Sequence, residues 1–433
     1  MKPKKFNFPN LGEDEMVIGA YVEPRFYGPD AWVIHDVTID EAFDDMKDAG
    51  FNTLLNTYYF LNLDTDDIVM DIIEHMEKRG MNLLVKDHKN IYDRSHEDAK
   101  KWFKSNYEKL EKYKAFAGLH VIDEPGYVDW EKFGRLKKAF KEVYPDKLYY
   151  INLLQTYSPH WAIPNGAVYD YKKGGGLPDD GDIEKYYKMY NEIADPEVFS
   201  YDFYPCIGKF PNVLKDYFLQ LHLAYKYARE KENPLFCFIQ ISVWGGGTRR
   251  LTLGELMWQV NMALAYNTKG LAYYCYWTSS PNQEFNAQGF IDWWGNKTPS
   301  YHLGKKCNEH IKYIDEYVVN SDFKGYMYCG VTPNGEIPNE EERIESFGKL
   351  KSFKGGNLFV GCFDYYKTDV QTYDMYYVVN NDIVNEAFVT LNFTEKVNLT
   401  VVNNMRTRTL DSDKVRFKLP AGHAALVIVG LDK

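Results

Sequence analysis

Thr38-Ile-Asp-Glu-Ala-Phe-Asp-Asp-Met-Lys-Asp-Ala-Gly-Phe-Asn-Thr-Leu-Leu55 carries one complete passage from helix to strand. Thr38 and Glu41 have the spacing of a capping box, and Phe43 and Met46 recur on one helical face. Gly50 supplies a left-handed stop, after which Phe51 to Leu55 forms an apolar run. The next passage repeats the device, with Ile68, Val69, Ile72, Ile73 and Met76 on one stripe and Gly80-Met-Asn-Leu-Leu84 opening a new run. Thr252-x-x-Glu255 begins a third copy, followed by Met257, Val260, Leu264 and Gly270 as its stop.

Outward from these passages, apolar runs begin near Val17, Thr53, Leu83, Gly118, Leu148, Val198, Leu235 and Leu271. Strands buried on both faces read as continuous apolar runs, and parallel neighbours require helical crossovers. The pattern therefore predicts an α/β fold, a (β/α)8 TIM barrel over residues 1–320. After a helix expected over 300–317, short alternating runs such as FKGYMYCGV, NLFVGCFDYY, DMYYVVNN, VRFKLP and HAALVIVGL predict a C-terminal antiparallel β-sandwich over 321–433. The interval from Leu148 to Val198 is the longest between neighbouring strands and contains Trp161, Tyr169, Tyr171 and a glycine-rich turn from Gly174. A long loop after a barrel strand belongs to the catalytic face, so a substrate wall is expected there.

Net charge of −11 with scattered Lys and Arg excludes a nucleic-acid footprint. No stretch approaches the ~20 apolar residues of a membrane span, and Met1-Lys-Pro-Lys-Lys-Phe lacks the apolar segment of a signal peptide, so a cytoplasmic address is expected. Six dispersed cysteines with no CxxC pattern read as reduced core thiols. The 36 Tyr, 26 Phe and 9 Trp favour a carbohydrate ligand, because aromatic faces stack on the C–H faces of sugars while Tyr and Trp keep a polar tip.

In a barrel, polar residues at the C-terminal ends of strands point into the active site. Those ends read Glu23; Tyr58; Asp87 with His88; Asp123 with Glu124; Asn152 with Gln155; Asp202 with Tyr204; Gln240 with Trp244; and Tyr276 with Trp277. A metal hydrolase would show several histidines here and only His88 qualifies, so neither a metal nor a cofactor is expected. There is no G-x-S-x-G elbow, and Gly245-Gly-Gly-Thr-Arg-Arg lacks the helix start of a phosphate loop. The local signal with the clearest chemistry is Gly118-Leu-His-Val-Ile-Asp-Glu-Pro-Gly126. Adjacent carboxylates after an apolar run raise the pKa of one of them, which keeps a carboxylic acid protonated near neutrality.

The barrel with Asp123-Glu124-Pro125 closing its fourth strand, an aromatic eighth strand ending Tyr276-Trp277 and a C-terminal sandwich closing on Pro420-Ala-Gly-His-Ala-Ala-Leu-Val resembles the glycoside hydrolases of clan A. That resemblance implies a hydrolase acting on O-glycosyl bonds of a carbohydrate substrate, with Glu124 as general acid/base. Two positions depart from the clan's pattern: Asp123 stands where Asn is usual, and Gln240 stands where strand seven carries a nucleophilic Glu. Adjacent Asp and Glu are similar to the barrel N-acetylhexosaminidases, which implies Asp123 as orienter of a 2-acetamido group with Tyr204 as its partner. Asp202, in Ser200-Tyr-Asp-Phe-Tyr-Pro205, is the competing second carboxylate, and Glu23 stands outside both readings. Glu23, Tyr58, His88, Asn152, Tyr204, Gln240, Trp244, Trp277 and Trp293 are expected to contact substrate, the tryptophans, with Trp294, as sugar platforms. A silent carbohydrate-binding barrel and a lyase or isomerase on the same fold are the rival readings, and the oligomeric state is left open.

Overall fold

The computed structural model describes residues 3–26, 35–57, 66–87, 91–158, 183–243, 249–278, 288–331, 333, 335 and 338–431. Among them, β1 (Val17–Tyr21), β2 (Thr53–Leu55), β3 (Asn82–Lys86), β4 (Phe116–Asp123), β5 (Leu148–Asn152), β6 (Phe199–Asp202), β7 (Leu235–Gln240) and β8 (Thr268–Tyr274) form one parallel sheet in the order β5-β4-β3-β2-β1-β8-β7-β6. A single bridge between Leu153 and Tyr201 joins its two ends, so the sheet closes on itself with a seam between β5 and β6. The crossovers are α1 (Ile39–Asp48), α2 (Asp66–Lys78), α3 (His96–Tyr107), α4 (Trp130–Val143), α5 (Ile183–Met189), α6 (Tyr217–Glu230) and α7 (Leu253–Ala265), with α8 (Pro299–Val319) after β8.

Local signals place these elements. The Thr38 and Thr252 side chains each accept from the backbone N–H three residues on, and Glu41 and Glu255 accept from the cap residues in return. The stops of the first two helices fall on Gly50 and Gly80, with φ of +93° and +58°. The third differs: Asn267, at φ +72°, takes the left-handed position after α7, and Gly270 lies inside β8, which starts three residues earlier than the apolar run suggests. The glycine answers a packing demand. A Cβ at position 270 would stand 2.7 Å from the Phe236 ring and 2.8 Å from the Phe6 ring.

Alternation sorts the barrel side chains into two cores. Val17, Leu55, Leu84, Ala117, Tyr150, Val198, Phe236, Phe238 and Ala272 fill the interior, which Phe6 and Phe8 close at the N-terminal end of the strands. The opposite parity, including Ile18, Leu54, Leu83, Leu119, Ile151, Tyr201 and Leu271, packs outward against the helices. β4 breaks the alternation twice, first at Ala117 to Gly118, where its pairing with β3 shifts, and again near its end. Its pairing with β5 skips from His120 to Ile122, so Val121 is an extra residue and both His120 and Asp123 face inward.

The C-terminal strands are β9 (Ser321–Cys329), β10 (Leu350–Lys354), β11 (Leu358–Tyr366), β12 (Thr372–Asn380), β13 (Ala387–Asn403), β14 (Arg406–Leu419) and β15 (Ala424–Val429). They form one antiparallel sheet in the order β10-β13-β15-β12-β11-β9, with β14 on β13. β13 runs through both halves: residues before the irregularity at Asn392 to Val397 pair with β10, and those after it pair with β15. The sheet folds over there and encloses its own core of Leu358, Val360, Val378, Val389, Leu391 and Val427. The two faces expected of a sandwich are thus two halves of a continuous sheet. The other face shares the outer barrel core through Phe359, Tyr377 and Leu426. Polar contacts pin this junction: Trp258 Nε1 donates to Asn381 at 2.7 Å, Tyr377 donates to Asn261 Oδ1 at 2.7 Å, and Asn261 Nδ2 donates to the Gly422 carbonyl at 2.9 Å.

Candidate active site

The inward bulge of β4 delivers Asp123 to the C-terminal mouth of the barrel, and the next residue completes the turn. Glu124 has φ +45°, a left-handed conformation uncommon for a residue with a side chain. Had the strand continued, Glu124 would face the helices; the turn instead brings its carboxyl beside Asp202 at the end of β6. Strain of this kind persists where the surroundings over-determine it, as at ligand and catalytic sites. The Glu124 backbone N–H donates to the Asn152 carbonyl at 3.0 Å, which holds the turn against β5.

Three carboxyls therefore meet. Asp123 accepts from the Tyr21 hydroxyl at 3.0 Å and from Asn152 Nδ2 at 3.0 Å, and the same Asn152 nitrogen donates to Asp202 at 3.1 Å. Burial, then the Asp202 and Asp123 charges, push the Glu124 carboxyl well above the usual carboxylate range, against a Gln155 hydrogen bond that acts the other way. Burial and the Asp123 charge also raise Asp202, while hydrogen bonds from Asn152 and Glu124 oppose the rise. Two acids that interact this closely titrate in steps that belong to the pair rather than to either residue. No cation is among the main influences on either group.

Aromatic side chains line this centre. Tyr21, at the end of β1, lies edge-on to His120 and Phe238, with centroids 5.7 and 5.3 Å away. Tyr204 lies 5.7 Å from Tyr274, and its backbone N–H points to the Tyr157 hydroxyl at 3.4 Å. His120 is fully buried and its Nδ1 donates to the Asn56 carbonyl at 2.9 Å; burial and nearby Lys86 keep the ring neutral.

The remaining expected residues separate by position. Glu23 is wholly buried, accepting from Thr57 N at 2.7 Å, Thr57 Oγ1 at 3.0 Å and Asn56 Nδ2 at 3.2 Å, which ties the ends of β1 and β2 together. Gln240 is equally buried: its side chain accepts from Cys206 N at 2.8 Å and donates to Cys206 O at 2.9 Å, clamping the segment after β6. Trp277 is fully buried beside Phe26 and His35, and Trp293 is nearly so, whereas Trp294 is half exposed. Tyr58, His88, Trp244 and the loop over 159–182 lie outside the described residues. Sequence reasoning passed over Tyr21 and Ser200, although both stand at inward-facing parity near strand ends. Among the described residues no group of three or more His, Cys, Asp or Glu has the arrangement of a metal site, and no helix is long and apolar enough to cross a membrane.

No protein-family model matches the sequence, and no curated protein does. Solved structures match in shape. The chain is similar to a family 42 β-galactosidase from G. stearothermophilus at 9% identity and TM-score 0.63, covering 98% of this chain and 99% of that one. It is similar to a β-galactosidase from Bacillus circulans sp. alkalophilus at 10% identity and TM-score 0.61, covering 98% and 100%. A family 5 glycoside hydrolase from Bacteroides vulgatus matches at 10% identity and TM-score 0.56, covering 96% and 89%. At such identities the likeness is one of architecture, and the chain has the fold of these glycoside hydrolases: an eight-stranded α/β barrel followed by an antiparallel C-terminal sheet.

Proposed function

We propose that the chain is a glycoside hydrolase in which Glu124 protonates the departing glycosidic oxygen. The observation that carries this reading is the Glu124 carboxyl at the mouth of the barrel, kept protonated by burial and two acidic neighbours. An alkoxide leaves poorly, and a positioned acid contributes typically about 10²- to 10⁴-fold to such a step. The carbohydrate class rests on the aromatic mouth formed by Tyr21, Tyr157, Tyr204 and Tyr274 and on the fold shared with known glycosidases.

After burial, the Asp202 charge is the largest influence raising the Glu124 carboxyl. Asp202 is therefore assigned the role of holding the proton on Glu124. Asp123, anchored by Tyr21 and Asn152, is assigned the alignment of a substrate group. A sugar that brings its own nucleophile, as a 2-acetamido group does, needs no second carboxylate across the scissile bond. The test is a panel of aryl β-glycosides that includes N-acetylhexosaminides, run with the wild type and Glu124→Gln. The acid role predicts a fall in kcat of about 10² or more on a good substrate; a fall below about tenfold overturns it.

The clamping of Gln240 onto Cys206 favours a second reading, a barrel that binds saccharide without cleaving it, because strand seven then offers no nucleophile. Saturable oligosaccharide binding with no product after prolonged incubation would establish that reading.

A further inference from the structure

The seam of the barrel has little backbone pairing. β5 and β6 meet through one bridge and the hydrogen bond from Leu153 N to Ser200 O at 2.9 Å. Side chains cross it instead. Tyr150 and Asn152 alternate inward on β5, and Ser200 and Asp202 alternate inward on β6. Tyr150 OH and Ser200 Oγ are 2.6 Å apart, Ser200 Oγ donates to Asn152 Oδ1 at 2.8 Å, and Asn152 Nδ2 donates to Asp202 at 3.1 Å and to Asp123 at 3.0 Å.

The direction of this chain is fixed by counting protons. A serine hydroxyl has one hydrogen, which goes to Asn152, so Tyr150 donates to Ser200. With Oδ1 occupied by that donor, the two amide hydrogens of Asn152 are left for the two carboxylates. The reversed amide would point Oδ1 at both negative groups and leave Ser200 facing an NH2. Tyr150, Asn152 and Ser200 are each at most 2% exposed, so water does not substitute for a lost partner.

We propose that Asn152 is the positioning residue of the acidic centre, a single amide that holds the Asp123 and Asp202 carboxylates in place across the seam. Its catalytic consequence rests on the glycosidase reading above. Asn152 gives Asp202 a donor and so favours its charged form, and a charged Asp202 in turn raises Glu124. Without that donor Asp202 competes for the proton and the acid is lost to its own neighbour. Among the described residues, the other titratable groups facing the pair are Asp123 on β4, Tyr150 on β5, Tyr157 after β5, Tyr186 and Tyr187 on α5, Tyr204 after β6 and Tyr274 on β8. The tyrosines are all raised by burial and stay neutral through the relevant range.

The experiment compares wild type, Asn152→Ala and Ser200→Ala by steady-state kinetics across pH and by carboxyl ¹³C NMR titration of Glu124 and Asp202. Asn152→Ala is expected to lower kcat by about 10- to 100-fold, since small losses of alignment cost that much. KM should change less than about threefold, while the acidic limb of the pH profile and the Asp202 titration move upward. Ser200→Ala, which frees the amide to turn, should move the same quantities in the same direction by less. Unchanged titrations and an unchanged pH profile in Asn152→Ala overturn the proposal. If Asn152→Ala does not fold, Ser200→Ala is held to the same criterion. A wild type that cleaves no glycoside overturns the glycosidase reading instead, and the Asp202 titration then decides Asn152 alone.

Discussion

Glu124, just after β4, and Asp202, at the end of β6, stand together beside the β5 seam, and each is raised above the usual carboxylate range. Two acids in this relationship titrate as a unit, and each consequence can be measured.

Raised affinity for protons sets the sign of the pH dependence. Glu124 retains its proton well above the usual carboxylate range, so kcat/KM should hold at neutral pH and fall on the alkaline side. Stability follows the same sign: the folded chain keeps protons that the unfolded chain has released, so this contribution is full below the unfolded value near 4 and is lost as pH rises through the raised values. Urea midpoints measured at acidic and alkaline pH check it; a contribution that grows with pH would contradict the assignment.

Asp202→Asn removes one of the charges that raise Glu124. The alkaline limb of the pH profile should move to lower pH and kcat should fall about tenfold or more. Melting temperature at pH 8 should not fall, because a buried repulsion is relieved at the same time. Calorimetry beside kinetics separates the two effects.

Gln240→Glu places a carboxylate where the clan A glycoside hydrolases that the sequence resembles carry their nucleophile, yet activity should not rise. The new group would lose the donor that binds Cys206 O at 2.9 Å and turn an oxygen toward that carbonyl. A loss of about 1 to 3 kcal/mol is expected from the unsatisfied contact, read as a lower urea midpoint with no gain in kcat.

Gly270→Ala should destabilise by about 1 to 3 kcal/mol, the cost of overpacking. Its methyl meets the Phe236 and Phe6 rings at the closed end of the barrel. Pairing it with Phe6→Leu should recover part of the loss, which a thermal melt will show.

The eight strands were legible because both of their faces are buried and the runs stay apolar through each element. That same uniformity hid the β4 bulge: in a run such as Ala117 to Ile122, an inserted Val121 leaves no mark on the hydrophobic pattern. The adjacency of Asp123 and Glu124 was visible, but the left-handed turn that aims Glu124 at the cleft beside Asp123 was not, since it depends on contacts with β5 and β6. Asn152 was read as a substrate contact from its place at a strand end; its bridge between two carboxylates required the seam to be known. β10 and the first half of β14 escaped notice for the opposite reason, being largely exposed strands whose polar residues carry no alternation. Gly270 was read as a helix stop, and the phenylalanines that explain it lie far away in sequence.

Asn261 on α7 touches the Tyr377 hydroxyl, the Gly422 carbonyl and His310 at once. A gene fragment that stops after α8 would encode a barrel with an apolar flank laid bare and Asn261 stripped of two of its partners. Melting of the whole chain should accordingly appear as one heat-absorption peak, and recombination in evolution would carry the two parts as a single heritable block.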